Sequence, residues 1–151
     1  LLAVEDAIVR HDAGTPGVSF REGADYPARR VFYHSRNRWL FILKTYRWWT
    51  LFVCLPGLAV YEVVWFGFAL LKGGLGSWLK GKWAVLSTLP ETLRMRREVQ
   101  ARRQVGDRAL MVGGPLTVTP ALKQDGVGGW LGSATDGLLR GVWALVRPLV
   151  R

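Results

Sequence analysis

The run WWTLFVCLPGLAVYEVVWFGFALL, Trp48 to Leu71, carries one charge, Glu62, in 24 residues. A stretch this apolar has to face protein interior or lipid along most of its surface. At about 1.5 Å per residue it is long enough to cross roughly 30 Å of hydrocarbon. Twelve of its residues are Leu, Val or Phe. At about −0.3 to −0.6 kcal/mol each, they outweigh one central carboxylate at about +3 kcal/mol. Hydropathy therefore permits a span. Two features oppose a straight one. Pro56-Gly57 stands inside the run, where proline kinks or breaks a helix. Both flanks are basic, with Arg36, Arg38, Lys44 and Arg47 before and Lys72, Lys80 and Lys82 after. Cationic flanks favour the cytoplasmic side, which puts both ends there. The expectation is a bent hairpin dipping into one leaflet.

The rest of the composition agrees with a membrane surface. Twenty-one Lys and Arg oppose eleven Asp and Glu, a formal charge of +10. Such a charge draws anionic partners. Half of the 151 residues are hydrophobic and eight are Trp, which excludes a disordered basic tail. A nucleic-acid module is also disfavoured, because the aromatics near the cations run on into a segment without charge. Trp at the headgroup level and Arg or Lys against lipid phosphate fit better. Cys54 is the only cysteine, so no intrachain disulfide or Cys-rich metal cage can form, and it reads as a small apolar residue. The sequence begins with Leu1 and shows no basic segment leading into a signal-type apolar core, and the expectation is a piece with further chain upstream.

Along the chain the punctuation defines four parts. Residues 1–30 hold a short strand candidate, Ala7-Ile8-Val9, and a loop rich in Gly and Pro from Asp12 to Pro27. Residues 31–105 form a helical, membrane-associated region. Val31 to Leu55 reads as one helix or two, Leu58 to Leu71 as a helix apolar almost all round, and Trp78 to Leu86 as a short amphipathic segment after Gly73-Gly74 and Gly76. Thr88-Leu89-Pro90-Glu91 fits a capping box opening a basic helix with Arg94, Arg96, Arg97, Arg102 and Arg103, ending near Gln104. Residues 106–135 are a connector punctuated by Gly and Pro, and 136–151 a final helix. Arg140, Arg147 and Arg151 would fall within roughly 40° of arc on that helix. With Trp143 and an apolar remainder, they describe a helix lying in the membrane interface.

No catalytic set stands out. His11 and His34 are far apart, and there is no D-x-D, no Walker or dinucleotide glycine loop and no G-x-S-x-G. Two segments do carry a resemblance. Ala7-Ile8-Val9-Arg10-His11 with its following loop, then Tyr33-x-x-Arg36-Asn37 and Lys44, resemble the end of a bacterial family-2 glycosyltransferase of GT-A type, rhamnosyltransferase-like. The resemblance spans roughly Val4 to Arg103 and, more loosely, the last helix. It implies a mainly α fold, with membrane-associated helices following a strand remnant of a GT-A α/β catalytic domain. It implies transfer of a sugar from a nucleotide-sugar to a lipid-linked or polysaccharide acceptor at the cytoplasmic face of the inner membrane. Membrane lipid would then be a partner, and nucleic acid would not.

The resemblance also assigns roles. A divalent Mg or Mn would serve the full-length parent, with His11 as a ligand and none held by this chain alone. Arg36, Asn37, Arg38, Trp39 and Lys44 would contact acceptor or phosphate, Arg by bidentate bonds and Trp by stacking on a sugar face. Arg38-Trp39 also resemble the R-W of the Q-x-x-R-W motif of processive synthases, with Ser35 where Gln would stand. Trp48, Trp49, Trp65, Trp143, Arg140, Arg147 and Arg151 would lie at the membrane interface. Glu5-Asp6 abut the strand, whereas a catalytic base belongs further upstream, so no catalytic residue is assigned and the isolated chain is expected to be inactive. The alternative reading is a small, non-catalytic, membrane-anchored interaction protein.

Overall fold

The computed structural model describes residues 26–111 and 127–151, and these are mainly helical. The strand candidate at Ala7–Val9, the metal candidate His11 and half of the connector, 112–126, lie outside the described residues. Among the described residues seven α-helices follow one another: α1 Ala28–Thr45, α2 Trp48–Val53, α3 Leu55–Leu71, α4 Leu75–Ser87, α5 Leu89–Ala101, α6 Asp107–Leu110 and α7 Val127–Val146, with a 3-10 turn at Arg147–Leu149. Helix α1 packs along α4 and α5, and α3 packs against α4 and α7.

The apolar run does not form one helix. It is split at Cys54, the C-cap of α2 and N-cap of α3, a free and half-buried thiol. Pro56 does not break the helix but sits in the first turn of α3, where its missing N–H would have had no helical acceptor. Gly57 lies where α7 crosses: a Cβ there would come within 3.5 Å of the Val142 side chain. The span that hydropathy permits is therefore absent: α3 has 17 residues, about 25 Å. No helix among the described residues is long and apolar enough to cross a membrane.

α3 ends in a Schellman motif. Gly73 takes φ +66°, its N–H donates to Leu70 O, and the Gly74 N–H donates to Ala69 O at 2.7 Å. Only glycine takes that φ cheaply. The motif folds α4 back along α1, where Gly81 permits the closest approach: a Cβ at Gly81 would stand 2.9 Å from both Phe32 O and Ser35 Cβ. The core beside this contact is aromatic. Tyr26, Val31, Trp65, Phe68 and Ala69 are buried together, with Tyr61 and Trp78 packed on them. Trp65 donates through Nε1 to Ser35 Oγ at 2.9 Å, so the one polar end of each is satisfied.

Two expectations change. Thr88 is the N-cap of α5, but the capping box does not form: the Thr88 hydroxyl donates back to Ala84 O at 2.7 Å. α4 and α5 follow so closely that the last carbonyls of α4 take the hydroxyl. The arginine stripe of the last helix is also interrupted. α7 stops at Val146 because Pro148 turns the chain, leaving Arg147 in the 3-10 turn and Arg151 beyond it. The Asp107 N–H donates to Arg151 O, and Trp49 Nε1 to Leu149 O, which fastens this segment to α2 and α6.

Candidate functional site

Glu62, the one charge of the apolar run, faces α1 and gathers three partners. Its Oε1 accepts from Trp39 Nε1 at 2.8 Å and pairs with Arg38, and its Oε2 lies 2.6 Å from Lys82 Nζ of α4. The Arg38 guanidinium lies 3.9 Å from the centre of the Tyr61 ring, a cation–π stack. Two cations thus share one carboxylate with their side chains only about a fifth exposed. Arg38 Nε is buried without a hydrogen-bond partner among the described residues. Burial lowers Arg38 to about 10, still charged at neutral pH. Burial and then the Arg38 charge push Lys82 down to about 8, which leaves it mostly charged at neutral pH beside the Glu62 carboxylate.

His34 lies one turn before Arg38 and stands 2.9 Å from the Tyr61 hydroxyl. Burial, then the charges of Arg38, Arg30 and Lys82, push it down to about 4. The ring is therefore neutral at pH 7. In the Nδ1-protonated tautomer, Nε2 accepts from the Tyr61 hydroxyl, whose own pKa is raised by burial.

A second cluster closes the C-terminal end of α1. The last carbonyls of an α-helix have no partner within it. Here Arg96 and Gln100 of α5 and Arg103 just beyond its C-cap supply them, at spacings of four and three residues. Arg96 Nη1 donates to Leu43 O at 2.5 Å and Tyr46 O at 2.6 Å. Gln100 Nε2 donates to Lys44 O and Thr45 O. Arg103 reaches Thr45 O and pairs with the fully buried Asp107, which also accepts from the Arg47 N–H at 2.9 Å. The cations also oppose the negative end of the α1 dipole. Beside them lies an open cleft of about 660 Å³, lined by Arg47, Trp48, Leu93, Arg96, Arg97 and Gln100.

The residues expected from sequence are divided among these places. Arg38 and Trp39 meet at Glu62. Arg36 and Asn37 do not join them: Arg36 Nε donates to Asn37 Oδ1 at the surface, and its guanidinium lies over Phe32 and Tyr33. Lys44 stands at the other end of α1, its carbonyl accepting from Gln100. Trp48 and Trp49 are exposed on α2, and Trp143 is half-buried on α7. Trp65 is 8% exposed and belongs to the core, its indole held by Ser35, so it presents no surface. Arg140 is exposed and pairs with Asp136 one turn away at 2.7 Å. Glu62, Lys82, His34 and Tyr61 were not singled out from sequence. The available signal was Glu62 itself, since a lone carboxylate in an apolar run needs buried partners.

Among the described residues, no three His, Cys, Asp or Glu side chains converge to hold a metal ion. Comparison of the chain with protein-family models, curated proteins and solved structures returns no match.

Proposed function

We propose that the chain is the membrane-docking helical region of a glycosyltransferase. The complete enzyme would move a sugar from a nucleotide-sugar to a lipid-linked or polysaccharide acceptor on the cytoplasmic membrane face. The observation that carries the docking part is the exposed apolar surface. Trp48, Trp49, Phe52 and Leu55 are exposed around α2, Val63, Val64, Phe66, Leu70 and Leu71 on α3, and Leu138 and Leu145 on α7. An apolar surface of that extent, next to Arg47 and Arg97, suits a peripheral seat in the headgroup region. The transferase part rests on the resemblance around Tyr33 to Lys44.

The alternative, a non-catalytic membrane-anchored interaction protein, is favoured by one observation. Arg38 and Trp39 are engaged by Glu62 and so fasten α1 to α3, where an acceptor contact would leave them available. Two measurements separate the readings. Flotation of the 151-residue chain with vesicles tests docking, and protein left at the bottom of the gradient would overturn it. Sugar transfer from nucleotide-sugars is then assayed for the chain extended upstream through its natural reading frame. Transfer by the extended chain supports the first reading, and an upstream frame without a nucleotide-sugar domain sinks it.

A further inference from the structure

The cleft at the end of α1 has a charge pattern that the docking reading alone does not require. Three guanidiniums line it, and no carboxylate does. Arg96 is committed, donating to Leu43 O and Tyr46 O with its plane 4.0 Å from the Trp48 ring centre. Arg47 and Arg97 are not. Both are exposed, and no described carboxylate pairs with either side chain. Asp107, which reaches the Arg47 backbone, spends its oxygens on the Arg103 side chain and the Arg47 N–H. That bond fixes the Arg47 backbone while its guanidinium stays available. Leu93 and Trp48 give the cleft apolar lining, and Trp49 and Phe52 of the same short helix as Trp48 are exposed.

We infer that this cleft seats the phosphate of an anionic membrane phospholipid, with Arg47 and Arg97 donating to the phosphate oxygens. Two guanidiniums lining one cleft can each donate to a phosphate in parallel pairs, a geometry that ammonium does not supply. Arg96, held by its two carbonyls, adds a fixed charge to the same lining. Trp48 and Phe52 then stand at the depth where acyl chains begin, so headgroup and chain are met by adjacent residues of one short segment. A lipid source is preferred to a free phosphate compound because apolar and cationic side chains line the same cleft. The inference rests on the membrane-docking reading and adds its ligand.

The test uses the whole 151-residue chain and vesicles of phosphatidylcholine with and without phosphatidylglycerol. Arg47→Gln/Arg97→Gln should bind the anionic vesicles at least about tenfold more weakly than wild type, given two cations near the surface. Lys72→Gln/Lys80→Gln removes the same charge at the opposite end of α1 and should change binding less than about threefold, because screening separates the two ends. Arg47→Lys/Arg97→Lys keeps the charge but loses the forks and should still lose about threefold or more. Circular dichroism confirms that each variant is folded. If wild type ignores vesicles altogether, the docking reading fails and this inference with it. If wild type binds and the Arg47/Arg97 variants bind equally, this inference alone is overturned. Inorganic pyrophosphate, followed by Trp fluorescence, should give no saturable change below millimolar concentrations. A micromolar, arginine-dependent response would overturn the lipid in favour of a free ligand.

Discussion

The middle and the C-terminal end of α1 are both held by buried cations, but the cations answer to different acceptors. At the middle, Arg38 and Lys82 meet the Glu62 side chain. At the end, Arg96, Gln100 and Arg103 meet backbone carbonyls. The difference decides what each is worth. A buried ion pair made of side chains could be exchanged for packed apolar groups at little or no cost. Helix carbonyls cannot be removed by mutation, so the donors that satisfy them have no apolar substitute. The first cluster specifies which faces meet, and the second is a requirement of ending α1 inside protein.

The strongest way to break the comparison is Arg96→Ala, which leaves two carbonyls without donors and uncovers Trp48. A loss of about 3 kcal/mol is expected in urea unfolding. Glu62→Gln should cost somewhat less, about 2 kcal/mol, because the stranded cations are partly reached by solvent. Replacing Arg38, Glu62 and Lys82 together by Leu or Met should recover most of that loss, and no such rescue should exist for Arg96→Ala. If the triple variant is no more stable than Glu62→Gln, the distinction between the clusters collapses.

Gly81→Ala tests the contact that brings Lys82 to Glu62. Its Cβ would meet the α1 backbone at 2.9 Å, and a loss of about 2 kcal/mol is expected from overpacking. Gly76→Ala in the same helix meets nothing within 4 Å and should be neutral or slightly stabilising, by up to about 1 kcal/mol. Equal effects in thermal melts would refute the close approach.

The smallest effect is a pH dependence. His34 is pushed down to about 4 when folded, against an ordinary value of 6.5. Between those values the unfolded chain binds a proton that the folded chain refuses, so stability is full above pH 6.5 and falls as pH drops toward 4. Discounted for partial solvent access, the loss is about 1 kcal/mol. His34→Gln should flatten that part of the profile, while Gly76→Ala should retain it.

The helical character, the turn at Gly73-Gly74, the start of α5 after Thr88 and the basic face of α5 were legible from residue types alone. They depend on local chemistry: glycine conformations, proline positions and charge spacing. The capping box was misread because the hydroxyl had a nearer acceptor in the preceding helix. The last helix was misread because the arginine spacing outweighed Pro148, which marked its end. The break in the apolar run was legible from Pro56-Gly57, and it falls slightly earlier, at Cys54, because proline is tolerated in the first turn of a helix.

By itself the sequence determined that one long apolar run with a single carboxylate had to be accommodated in a chain with a surplus of cations. Only the tertiary structure decided which cations were surplus. Arg38 and Lys82 meet Glu62 because Gly81 lets α4 lie against α1. Arg96 and Arg103 turn inward because α1 ends beside α5. Arg47 and Arg97, of the same residue type and only a few positions away, remain at the rim of the cleft. Charge is a property of the residue, but its availability depends on which carbonyls and carboxylates the fold brings within reach.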